Sequence, residues 1–252
     1  MTVGRIHSIE SMGLVDGPGI RTAVFLQGCR LRCQYCHNPD TWSPEGSRAK
    51  LLAPEELVRK LVRFKSYYGE NGGVTFSGGE PLLQKEFLLE VLPLCRAAGI
   101  HVCLDTAGCG TGGYEEILQY TDLVLFDVKH YTPEGYRKVT GQPPEEARRF
   151  LQALQKAGTP LWVRHVVVPG LTDGEEHLQG LRSFLRTLDH VQRIELLPYH
   201  TLGVSKYHTL GIPYPLEGVA PVEADQLASW QQLLNQELLD RNRDKAARSA
   251  KE

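Results

Sequence analysis

Ile20-Arg21-Thr22-Ala23-Val24-Phe25-Leu26-Gln27 runs straight into Gly28-Cys29-Arg30-Leu31-Arg32-Cys33-Gln34-Tyr35-Cys36-His37-Asn38. The first part is an apolar, β-branched run of strand length. The second is a loop carrying three of the six cysteines of the chain. A loop at the C-terminal end of a strand is where parallel α/β folds place their active sites. Three thiolates on one short loop can hold one soft metal centre. Structural zinc usually takes four ligands in two separated pairs. No second CxxC occurs in the chain, and His37 abuts Cys36. Adjacent residues rarely reach one tetrahedral ion together. An iron–sulfur cube also normally has four ligands. Held by only three, it would keep one iron open to bind a small molecule. Three buried thiols without metal are the plain alternative, and the CxxxCxxC spacing at a strand end speaks against it.

Outward from this segment, strand-like runs recur at Val74–Ser77, His101–Thr106, Leu123–Val128, Leu161–Val168 and Ile194–Pro198. Helical patterns lie between most of them. Pro54 and Glu55 open one, with Leu57, Val58, Leu61, Val62 and Phe64 at helical spacing. Phe87, Leu88, Val91, Leu92 and Cys95 form another, ending near Gly99. Phe150, Leu151 and Leu154, then Leu178, Leu181, Leu185 and Leu188, mark two more. Strand, helix, strand in this rhythm predicts right-handed βαβ units and a parallel sheet. The six strands, with Ile20–Gln27 counted first, fall two short of a closed eight-stranded barrel. A partial (β/α)6 barrel and an open doubly wound sheet both fit. Residues 201–222, rich in Gly, Pro and Tyr, read as a long loop. Ala224–Leu239 reads as a last amphipathic helix on Leu227, Trp230, Leu234 and Leu238. The expectation is one domain over residues 1–240 and a basic, disordered tail over 241–252.

Composition narrows the function. The 252 residues carry 28 Lys plus Arg against 30 Asp plus Glu, a net charge of −2, so a surface built to neutralise nucleic acid is not expected. No run approaches the roughly 18 apolar residues of a membrane span. No basic stretch followed by an apolar run opens the sequence, so the expected location is cytoplasmic. There, clustered cysteines read as metal or redox chemistry rather than disulfides. Cys95, Cys103 and Cys109 are scattered and read as small buried hydrophobes.

Polar residues gather at the other strand ends. The second run ends in Phe76-Ser77-Gly78-Gly79-Glu80-Pro81, where glycines let backbone approach a ligand and oxygens can accept from an ammonium. An ordinary strand-to-helix turn reads the same way in isolation. The third ends in Leu104-Asp105-Thr106 and the fourth in Phe126-Asp127-Val128-Lys129. Asp105, Thr106 and Asp127 could hold a hard cation through oxygen, or merely cap helices. Arg164 on the fifth run and His200 after the sixth, with Lys129, are candidates to pair with carboxylate or ribose groups.

Cys29-x3-Cys33-x2-Cys36, with aromatic Tyr35 before the third cysteine, resembles the signature of radical S-adenosylmethionine enzymes. That resemblance implies a 4Fe-4S cluster on Cys29, Cys33 and Cys36 whose open iron chelates S-adenosyl-L-methionine. One electron then cleaves the sulfonium to a 5′-deoxyadenosyl radical. Gly78-Gly79-Glu80 resembles the family's GGE motif. The stretches Arg5–Ser11 and Val15-Asp16-Gly17-Pro18-Gly19-Ile20-Arg21-Thr22 resemble the opening of glycyl-radical enzyme activases, and the likeness runs from about residue 4 to 240. Residues 37–53 contain no cysteine, so the ferredoxin-like insert of many such activases is absent, which favours the pyruvate formate-lyase class. The resemblance implies abstraction of a hydrogen atom from one glycine of pyruvate formate-lyase under anaerobic conditions. It assigns Tyr35, Cys36, His37, Gly78, Gly79, Glu80, Asp127, Val128, Lys129, Arg164 and His200 to cofactor contacts. It assigns Asp105, Thr106 and Asp127 to a monovalent cation (Na+ or K+), and Asp16 to the partner's glycine loop. Flavodoxin or ferredoxin as electron donor and a monomeric state complete it. Activation of another glycyl-radical enzyme, a non-catalytic zinc or iron–sulfur module, and radical chemistry on a small molecule are the competing readings.

Overall fold

The computed structural model describes residues 2–46 and 49–249. Eight strands form one sheet: β1 (Gly4–Gly13), β2 (Arg21–Leu26), β3 (Lys50–Leu52), β4 (Gly73–Gly78), β5 (His101–Thr106), β6 (Leu123–Asp127), β7 (Leu161–Val167) and β8 (Val191–Pro198). The helices are α1 (Pro54–Val62), α2 (Lys65–Tyr68), α3 (Lys85–Ala97), α4 (Tyr114–Leu118), α5 (Pro133–Thr140), α6 (Glu145–Ala157), α7 (Glu175–Leu185), α8 (Val204–Leu210) and α9 (Ala224–Ser249). The sheet order is β3-β1-β2-β4-β5-β6-β7-β8. From β2 onward every neighbour is parallel, and only β1 runs against the rest, pairing antiparallel with both β2 and β3. Parallel strands laid down in chain order, without the reversal of a doubly wound sheet, are the arrangement of a barrel. β3 and β8 are the unjoined edges, so the barrel is open.

The six parallel strands are the six legible in the sequence. The other two, β1 and β3, correct the strand count. β1 is mostly polar and half-exposed, and β3 is three residues long, so neither carries a continuous apolar run. Side-chain alternation divides the sheet. Val24, Leu26, Val74, Phe76, Val102, Leu104, Val124, Phe126, Leu161 and Val163 face the helices and join Leu57, Leu61, Leu88, Val91, Leu154, Leu181 and Leu234 in the main core. The intervening residues (Ser77, Asp105, Asp127 and Arg164 among them) turn to the concave side. One strand pattern therefore makes a dry outer layer and a polar interior.

One further expectation is corrected. Within the supposed loop 201–222, Val204–Leu210 is helical, because Tyr207 packs edge-on against Trp42 and Tyr214. Gly211, in the left-handed region, then ends the helix. α9 runs through Leu239 to Ser249, across the first part of the expected tail. Its Arg, Lys and Ala residues favour helix, and Arg241 Nη1 donates to the Leu185 carbonyl. Residues 250–252 of that tail lie outside the described ones. Among the described residues no helix is long and apolar enough to cross a membrane.

Candidate active site

A cavity of about 510 Å³ opens at the C-terminal ends of the parallel strands. Cys29, Cys33 and Cys36 all line it, on the loop after β2. That loop is clamped through its backbone. Gly28 N–H donates to Thr41 O at 2.7 Å and Cys29 N–H to Trp42 O at 3.1 Å, while Arg32 and Gln34 donate to the end of α5 at Thr140 O and Val139 O. Burial raises all three thiol pKa values, Cys33 to about 12. The nearby Glu80 carboxylate adds to the rise at Cys29, while Lys129 opposes it at Cys33. Buried thiolates need a compensating positive centre, which is what a thiolate-bound metal cluster provides. Among the described residues no three His, Cys, Asp or Glu side chains converge on a point suited to a single metal ion.

The loop after β4 lies directly on the cysteine loop. Gly79 N–H donates to Leu26 O and Glu80 N–H to Gly28 O, both at 2.8 Å. A Cβ on Gly79 would come within 2.2 Å of Gly28 O, and Gly78 has φ +103. The glycines are thus required by close backbone approach. Glu80, expected to contact the cofactor, lines the cavity. Its carboxylate is buried and already accepts from Thr106 Oγ1 (2.5 Å), Leu82 N (3.1 Å), Ala107 N (3.1 Å) and Cys109 N (3.3 Å). It ties the β4 and β5 loops together. Thr106 is engaged with it, and its hydroxyl also accepts from Gly108 N.

On the opposite wall stand the inward residues of β5, β6 and β7. Lys129 Nζ lies 2.8 Å from Asp127 Oδ2 and 5.6 Å from the Tyr35 ring centre. Burial pulls the Lys129 pKa down, but Asp127, Tyr35 and Cys33 more than compensate and hold it well above the usual lysine range. Asp105 accepts from Ser77 Oγ at 2.7 Å and lies 3.7 Å from Arg164 Nη1. Its burial raises its pKa against the pull of Arg164. Arg164 is also held by Glu195 at 3.0 Å and donates to Val15 O at 2.6 Å. The expected cation ligands Asp105 and Asp127 therefore share one wall, each beside a protein cation.

At the rim, the His37 and His200 rings stack with centres 3.8 Å apart, and His37 Nε2–H donates to the His200 carbonyl. Among the described residues, His200 Nδ1 and the Tyr35 hydroxyl are buried without a partner. Both residues line the cavity. Two expected site residues do not line it. Val128 is buried in the helix-side core. Asp16 sits on the β1–β2 segment; its carbonyl accepts from Thr75 Oγ1, and the carbonyl of its neighbour Val15 accepts from Arg164. Ser77, Trp42 and Glu195 were not legible as site residues. Strand alternation could have found Ser77 and Glu195; Trp42 depends on how the loop folds back.

The pieces suit the group their chemistry calls for. Three thiols on one wall match a soft cluster. The unpartnered His200 Nδ1 and Tyr35 hydroxyl, with Lys129 and Arg164, offer polar contacts to an amino-acid and ribose ligand. Comparison with known proteins agrees. Residues 23–181 match the Radical SAM superfamily. The chain is 52% identical over 241 residues to a pyruvate formate-lyase-activating enzyme of Clostridium pasteurianum, covering 95% of this chain and 100% of that protein. It is 45% identical to the one from Streptococcus mutans, over 93% of this chain and 92% of that protein. In three dimensions it resembles a domain of pyruvate-formate lyase-activating enzyme from Bacteroides vulgatus (TM-score 0.53, 26% identity, 66% of this chain and 94% of that one). It shares the fold of SuiB from Streptococcus suis (TM-score 0.66, 14% identity, 94% of this chain and 48% of that one). The chain is a member of the radical SAM superfamily and, within it, of the family of pyruvate formate-lyase-activating enzymes.

Proposed function

We propose that this chain abstracts a hydrogen atom from one glycine of pyruvate formate-lyase, leaving a glycyl radical. The observation that carries the reading is the meeting of Cys29, Cys33 and Cys36 with Gly79, Lys129 and His200 around one cavity at the strand ends. When bound there, a 4Fe-4S cluster and S-adenosyl-L-methionine supply a 5′-deoxyadenosyl radical through one-electron cleavage of the sulfonium. The protein supplies position and shelter. Gly78 and Gly79 let a ligand lie against backbone, Lys129 and Arg164 meet its carboxylate, and Tyr35, His37 and His200 bound it at the rim. Asp105, Thr106 and Asp127 are the oxygen set for a monovalent cation, Na+ or K+, with Ser77 steering Asp105. Glu80 contributes by fixing the loops rather than by touching the ligand. Asp16 anchors the glycine loop from beneath the Arg164 wall. The enzyme acts as a cytoplasmic monomer, reduced by flavodoxin or ferredoxin.

The test is electron paramagnetic resonance of pyruvate formate-lyase incubated anaerobically with this protein, S-adenosylmethionine and a reductant. A glycyl-radical signal is expected with the wild type. Replacing any of Cys29, Cys33 or Cys36 with Ala should remove iron content and signal together. No signal from fully iron-loaded protein would overturn the reading, and a signal from a different glycyl-radical enzyme alone would change the partner.

A further inference from the structure

We infer that His165, held in one tautomer by His177, is a positioning residue for the Asp127–Lys129 wall of the cavity. The inference rests on reading that cavity as the S-adenosylmethionine site. β7 alternates at this point: Arg164 turns to the cavity, and His165, 1% exposed, turns to the helix layer. There its Nδ1 lies 2.6 Å from the Val128 carbonyl oxygen. A carbonyl only accepts, so Nδ1 carries the proton. Nε2 is then bare, and it lies 3.0 Å from Nε2 of His177 on α7. His177 must therefore donate from Nε2. The rings stack at 17° with centres 5.1 Å apart. Burial depresses both pKa values, that of His165 to about 4 and that of His177, with His165 adding to the effect, to about 3. For a neutral pair, one arrangement of protons satisfies both hydrogen bonds.

The consequence falls on Val128. Its N–H donates to Arg164 O at 2.9 Å and its carbonyl accepts from His165, so one strand holds the peptide units on both sides of it. Peptide planarity then turns the Lys129 N–H the opposite way from His165. Asp127 and Lys129, which flank Val128, form the 2.8 Å ion pair on the cavity wall. Val163 and Val167, on the same face of β7 as His165, are apolar and buried. An apolar residue would pack there equally well, whereas a buried imidazole costs free energy unless partnered. What His165 adds is the aim of Val128.

The test uses iron-loaded holoenzyme. Affinity for S-adenosylmethionine is measured by equilibrium dialysis without protein substrate, alongside KM, kcat and the thermal midpoint. His165→Asn puts an amide N–H near the place of Nδ1 and should bind within about twofold of wild type. His165→Gln, whose donor lies further out, and His165→Phe should each bind about tenfold more weakly, the scale of one buried hydrogen bond. KM should rise while kcat and iron content hold. Wild-type affinity in His165→Phe, or an Asn variant no tighter than Gln, would overturn the inference; where the Phe variant does not fold, Asn against Gln decides. Failure of the wild type itself to bind would instead bring down the reading of the cavity, and this inference with it.

Discussion

A carboxylate can serve an active site by holding its loops together, and Glu80 is placed to do so. Its four hydrogen bonds join the loop after β4 to the loop after β5. Glu80→Ala leaves three backbone N–H groups and the Thr106 hydroxyl without an acceptor. The expected cost is about 3 kcal/mol, set by buried unsatisfied groups. Chemical denaturation should show it, and Glu80→Gln should recover part of the loss. The buried histidines make a second residue-scale prediction. Burial depresses the pKa of His165 and His177, so between their ordinary value near 6.5 and about 4 the unfolded chain binds protons that the folded chain refuses. Stability is fully present above pH 6.5 and is lost as the pH falls through that window. The thermal midpoint should drop between pH 7 and 5.5, and the drop should be smaller in His177→Gln. Equal drops would show that this pair does not titrate on unfolding.

At the scale of elements, the site is a contact between two loops. The loop after β2 carries the thiols, and the loop after β4 lies against it through Gly79 N–H to Leu26 O and Glu80 N–H to Gly28 O. Gly79→Ala would drive a methyl into the Gly28 carbonyl, 2.2 Å away, and nothing there is the flexible end of a side chain. The two loops must part. Iron content after anaerobic reconstitution should fall by more than half, with a loss of about 2 kcal/mol in stability. A mutant that loads iron normally would show that the loops tolerate separation. By contrast, Gly112→Ala in the next loop meets nothing within 4 Å, though φ +92 makes it mildly strained, and its iron content should not change.

For the whole molecule, the open barrel needs something to tie its ends together. His7 on β1 contacts Asp40 Oδ2 at 3.0 Å, and Lys206 on α8 contacts Asp40 Oδ1 at 3.1 Å and Asn38 at 2.8 Å. Asp40 thus links the first strand, the segment after the cysteines and the helix after the last strand. Gly203, at the start of α8, packs where a Cβ would lie 2.8 Å from His37 Cα. Asp40→Ala should raise hydrogen–deuterium exchange through residues 203–212 at pH 7 and leave the β4–β6 core unchanged. Lys206 is more than a third exposed, so the loss in global stability should stay below about 1 kcal/mol. Unaltered exchange in α8 would show that packing of Tyr207 alone holds the helix.

By itself the sequence determined the parallel part of the fold. Buried parallel strands are local apolar runs, and βαβ handedness leaves few ways to join them. It also determined the three thiols and the Gly78-Gly79-Glu80 turn, because each is a short pattern of unusual residues at a strand end. Three matters were decided only by the tertiary structure. β1 and β3 become strands through pairing at the edge, which leaves no apolar run to read. Glu80 gains Thr106 and Asp105 gains Ser77 because the partners are far apart in the chain and meet only across strands. His165 carried no local signal at all: one residue from Arg164, it serves the opposite face, and its partners Val128 and His177 reach it only when β6 and α7 pack on β7. Local periodicity shows which face a side chain occupies; which atoms it meets there depends on long-range packing.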